Sequence, residues 1–179
     1  MDKTYEIVAD ALGRAGIRCL LGGGFAVNVH GFERGTKDID LLIAEDDRQR
    51  ADDELLRAGL RCFRRVDVVS RYEPPAGMNL VVDVLPLNRK TFESLWADAV
   101  ERPFLGRQAR FVSFEHLLAM KIHTLKHDNM TRGLKDLLDI TALAKANGWG
   151  PDTPQLCELC RKFGSPEILA SVQKALSGS

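Results

Sequence analysis

Residues 3–15 place Ile7, Val8, Ala11 and Leu12 on one face of a 3.6-residue period, which predicts a helix stopping near Gly13 or Gly16. Five residues, "IRCLL", then read as a short strand, and residues 24–30 as a short helix closed by Gly31. The apolar run broken by two aspartates in "DIDLLIA", 38–44, reads as a strand. A polar helix over 46–59 turns Leu55 and Leu56 inward and ends at Gly59. "LRCFRRVDVV" and "NLVVDVL" read as two strands separated by the turn "EPPAG". A helix over 89–100 and a strand or loop over 106–114 complete this half.

After Ser113 the pattern becomes purely helical. Residues 113–126 and 132–147 carry helical stripes, the second stopped by Gly148. Thr153-Pro154 and Ser165-Pro166 each set an N-cap before a proline at the first helical position, so two more helices follow. The expected architecture is α/β (α+β), a mixed sheet flanked by helices over 1–112, followed by a helical region over 113–179.

Within the strand 38–44, Asp38, Asp40 and Leu42 share one face and Ile39, Leu41 and Ile43 the other. The two carboxylates stand ~7 Å apart along the strand. Asp83, flanked by Val81, Val82, Val84 and Leu85, is a third carboxylate in a buried strand. Isolated buried carboxylates are costly unless a cation meets them. If the two strands are neighbours, three carboxylates converge and suit magnesium or manganese, which bring phosphates with them. The competing reading has Asp38 capping a turn and Asp83 paired with an arginine. Gly22-Gly23-Gly24, between a strand and a helix, aims free N–H groups at one point and lets an anion approach the backbone. It is neither a dinucleotide fingerprint nor a P-loop.

In the helix 113–126 the stripe of Phe114, Leu117, Leu118, Ile122 and Leu125 includes Lys121. A lysine there must snorkel out or meet an anion.

Bulk properties add little. Lys+Arg and Asp+Glu both number 25, so no net charge draws the whole chain to nucleic acid. Residues 121–135 nevertheless hold four Lys/Arg against one Asp, with two His. No apolar run approaches a membrane span and the N-terminus has no signal-peptide pattern. Four cysteines in element-like segments suit reduced thiols in the cytoplasm, and the lone Cys157-x-x-Cys160 reads as helix packing. The run "EDDRQRADDE" reads as a solvated helix face, and Arg61, Arg64 and Arg65 as charges on an edge strand.

The run Gly23-Gly24, Arg34, Thr36, Asp38-Ile39-Asp40, followed by Asp83 between apolar residues, resembles the DNA polymerase β-type nucleotidyltransferase superfamily. It looks most like the minimal nucleotidyltransferases grouped with abortive-infection type IV toxins. Gly24 stands where many members carry serine. The resemblance implies transfer of a nucleoside monophosphate from an NTP to an acceptor hydroxyl. Asp38, Asp40 and Asp83 would hold metal, and Gly23, Gly24, Arg34 and Thr36 would line the nucleotide. Lys121 and Asp136 match the family's helix lysine and later K-D motif, as catalytic residues, with Lys121 also on phosphate. For the acceptor it implies an RNA end, tRNA-sized, or a protein hydroxyl, and an antitoxin protein as partner. The alternatives are a small antibiotic as acceptor, and a non-catalytic nucleotide-binding module.

Overall fold

In the computed structural model, residues 2–127 and 130–178 are described, with side chains from 133 onward in the second stretch. The chain forms two compact units. One comprises the chain up to Ala26 with Gly35–Ser113, the other Val27–Arg34 with the chain from Phe114 onward. Among the described residues no helix is long and apolar enough to cross a membrane.

The first unit runs α1 (Thr4–Arg14), β1 (Cys19–Leu21), the start of α2 (Gly23–Val29), β2 (Asp38–Ala44), α3 (Arg48–Arg57), β3 (Arg61–Val66), β4 (Val69–Glu73), β5 (Val81–Leu87), α4 (Arg89–Ala97), β6 (Val100–Phe104) and β7 (Arg107–Phe111). Its strands form one seven-stranded sheet in the order β3-β4-β5-β2-β1-β7-β6. β2–β5 and β1–β7 are parallel and the other neighbours antiparallel, so the sheet is mixed. Ile39, Leu41 and Ile43 on β2, Val82 and Val84 on β5 and Tyr72 on β4 are buried. Tyr5, Phe25 and Phe111 pack edge-on around Phe104, an arrangement aromatic rings favour.

Three expectations are corrected here. The single strand expected over 60–69 is a hairpin, β3 and β4 turning at Asp67-Val68. No glycine or asparagine marks that turn, and both arms are rich in strand formers. Val100, expected to end a helix, instead opens edge strand β6, where Pro103 is tolerated. The β6–β7 turn places Leu105 and Gly106 both at positive φ, 46° and 84°. The acidic run 45–54 is not wholly solvated, because Asp52 on α3 is buried and accepts from Tyr72 Oη at 2.7 Å and from Arg65.

The second unit contains the end of α2, α5 (Phe114–His127), α6 (Met130–Ala146), α7 (Pro154–Phe163) and α8 (Pro166–Ser177). Leu117, Leu118, Ile122, Ile140, Leu143, Ala144, Leu156, Cys160 and Val172 make its core. Ser165 Oγ caps α8 by accepting from the Ile168 N–H. Cys157 and Cys160 are buried in α7, as packing requires.

Candidate active site

β2 and β5 run side by side in parallel, with Asp40 opposite Asp83 and Asp38 opposite Val81. Paired positions on neighbouring strands point to the same side. β4 extends the row, since Arg71 is the register partner of Asp83. The Arg71 Nε donates to Asp83 Oδ1 at 2.8 Å, and its Nη2 lies 3.7 Å from Asp38 Oδ1. Two acids and one guanidinium, Asp40, Asp83 and Arg71, therefore stand side by side across three strands, with Asp38 two residues away along β2. Asp83 has the arginine partner that the competing reading foresaw.

On the other side of β2, the Gly22 N–H donates to the Asp40 carbonyl at 2.9 Å, aligning the end of β1 with the acid row. Gly23 opens α2 with φ +52°, and a β-carbon there would land inside the Asp40 carboxylate. Only glycine supplies both that φ and that clearance. Gly24 is the second residue of α2. Thr36 Oγ1 donates to the Asp38 carbonyl at 3.3 Å, steadying the entry to β2.

The donors are all carboxylate oxygens, the chemistry magnesium and manganese take. Among the described residues no three acidic, His or Cys side chains converge closely enough to form a metal site alone. That arrangement still fits magnesium, which binds through one or two carboxylates plus phosphates and waters. The clearance that Gly23 leaves beside Asp40 suits an incoming phosphate.

In the second unit Lys121 is 8% exposed yet charged. Its Nζ lies 2.8 Å from Asp136 Oδ1 and 2.6 Å from Asp139 Oδ2. Arg34 reaches the same Asp139 with Nε and Nη2, at 2.7 and 2.9 Å. Arg34 is itself held by a two-way bond with the Asn28 amide, its N–H donating to Oδ1 and its carbonyl accepting from Nδ2, both at 3.0 Å. The anion that Lys121 needs is thus provided by α6. His30 lies 6.1 Å from the Phe114 ring, and its carbonyl accepts from Asn147.

Sequence reasoning missed Arg71 and the part played by Asp139. Arg71 was hidden with β4, because the strand expected over 60–69 stops short of it and residues 70–72 were assigned to no element. Asp139 follows Asp136 by three residues, one helical turn, so both face Lys121.

A family model described as an uncharacterised nucleotidyltransferase matches residues 3–174. The chain belongs to that nucleotidyltransferase family. No curated protein matches the sequence. Among solved structures, this nucleotidyltransferase is similar to the antibiotic-resistance factor ANT(2'')-Ia, with TM-score 0.59, 16% identity, and 99% of this chain and 94% of that one covered. It is also similar to the lincosamide antibiotic adenylyltransferase LnuA in its lincomycin-bound form, with TM-score 0.58, 18% identity and coverage of 82% and 98%. An antigenic nucleotidyltransferase-like protein from Paracoccidioides brasiliensis gives TM-score 0.56, 17% identity and coverage of 99% and 97%. At such identities the likeness is one of fold.

Proposed function

We propose that this nucleotidyltransferase moves a nucleoside monophosphate from an NTP to a hydroxyl of RNA, with Asp38, Asp40 and Asp83 holding Mg2+ or Mn2+. The observation that carries the reading is the register of Asp40 with Asp83 beside a glycine whose missing side chain clears Asp40. When bound, the metal supplies positive charge for the triphosphate and for the entering and leaving oxygens. The acceptor oxygen attacks the α-phosphorus, and the bond from that phosphorus to the pyrophosphate oxygen breaks. The acceptor's proton passes to the Asp83 carboxylate. Gly23 and Gly24 leave side-chain-free space for the β- and γ-phosphates. In the helical unit, Lys121 and Arg34 are already met by Asp136 and Asp139.

Charge on the surface supports RNA. Lys126 and Lys135 are exposed on α5 and α6, and exposed cations neutralise phosphates. A cationic drug would instead need free acids. In the acidic run, Asp46, Asp47, Asp52 and Glu54 are already paired with Arg89, Arg50, Arg65 and Arg57. The second reading, an antibiotic acceptor, draws on the fold shared with LnuA and ANT(2'')-Ia.

Incubation with labelled NTPs, total RNA, a lincosamide and an aminoglycoside tests both. Label on tRNA-sized RNA, lost in Asp40→Asn, is expected; label on a drug alone would transfer the case to the second reading. NTP binding without transfer to any acceptor would leave a non-catalytic binding module. A toxin role predicts growth arrest on induced expression, absent for Asp40→Asn and relieved by an antitoxin partner.

A further inference from the structure

Arg71 is tethered on β4, beside the strand that carries Asp83, and its guanidinium bridges the acid row from Asp83 towards Asp38. The ring of Phe63 on β3 backs it, with the guanidinium carbon 5.8 Å from the ring centroid. A guanidinium cannot vacate a site by deprotonating. To release Asp83 it must move, and with its side chain 30% exposed it has solvent to move into.

A divalent cation placed on the same carboxylates meets a positive charge already within hydrogen-bond distance of one of them. Like charges this close repel strongly where water is partly excluded. Resting on the reading of the acid row as the metal site, we propose that Arg71 is a latch: it competes with the divalent cation for Asp83 and Asp38, and metal alone binds weakly. The triphosphate changes the balance. It brings negative charge that offsets the repulsion and offers the displaced guanidinium an anion of its own. Metal entry is thereby coupled to nucleotide, and the acid row is kept compensated between turnovers.

The test is Mn2+ binding, measured by the electron paramagnetic resonance of free Mn2+, in wild type, Arg71→Met and Asp40→Asn. Each is titrated with and without an α,β-methylene NTP analogue. Arg71→Gln, which can keep a hydrogen bond to Asp83 without the charge, is run in parallel, and melting in EDTA checks that each variant folds. The latch predicts Mn2+ binding about tenfold or more tighter in Arg71→Met and Arg71→Gln without nucleotide, and a smaller gain on adding the analogue than in wild type. Equal Mn2+ affinity in wild type and both variants would overturn it. Weaker binding in the variants would overturn it too, making Arg71 a positioning residue for Asp83. If wild type and variants bind no Mn2+ even with the analogue, the metal reading itself falls. Retained binding in Asp40→Asn places the metal away from the acid row and also rejects the latch.

Discussion

Replacing Lys121 by methionine removes one ammonium and keeps most of the side-chain volume. Lys121, Asp136 and Asp139 have side chains 10%, 9% and 2% exposed. Asp139 keeps its two bonds from Arg34. Asp136 is left without the lysine that met it at 2.8 Å. Removing one partner of a buried ion pair costs about 3–5 kcal/mol, mostly through the charge left behind. With Asp139 still compensated, the lower end applies, about 3 kcal/mol. For a chain of 179 residues that is a fall in Tm of roughly 6–12 °C. Far-UV circular dichroism melts measure it. The double variant Lys121→Met with Asp136→Leu should recover most of the loss, since exchanging both ions for apolar groups is often neutral or better. A single variant as stable as wild type, or a double variant no better than the single, would refute the paired-lysine account. NTP affinity measured on the same proteins separates the phosphate role expected of Lys121 from the structural one. Unchanged affinity with lost stability leaves Lys121 a purely structural ion.

Gly23→Ala forces a side chain onto φ +52° and into the Asp40 carboxylate; destabilisation of about 1–3 kcal/mol and loss of Mn2+-dependent NTP binding are expected by denaturant titration and calorimetry. Burial pushes the Asp52 carboxyl up, but the Arg65 and Tyr72 hydrogen bonds outweigh it and hold the group below its ordinary value of 3.8. A carboxyl depressed in the folded state stabilises above its unfolded value, and that contribution is lost as pH falls through the folded one. Stability should therefore decline with acid below about pH 4, and Asp52→Asn should flatten that part of the profile in melts across pH. Burial pushes the Cys160 thiol up to about 11, so peptide mass spectrometry after iodoacetamide near neutral pH should find it unmodified in the folded chain and modified in denaturant.

Much of this protein could be read from neighbours in the chain. Alternation over 38–44 put Asp38 and Asp40 on the face opposite Ile39, Leu41 and Ile43, because successive strand side chains point to opposite sides. The helical run after Ser113 and its proline-marked starts follow from periodicity and capping, which are local. Lys121 in an apolar stripe announced that an anion had to be near. Which anion was a tertiary matter, decided by the packing of α5 on α6, with Arg34 arriving from 105 residues away. The placing of Asp83 opposite Asp40 depended on β5 lying parallel to β2 in one register. Parallel neighbours are joined by long connections whose ends no short-range signal aligns. Arg71 entered the row through a hairpin without a glycine turn, its register set by Tyr72 and Val82 pairing on the buried face. Chain periodicity assigns a residue to a face, but burial of many distant side chains at once selects which faces meet.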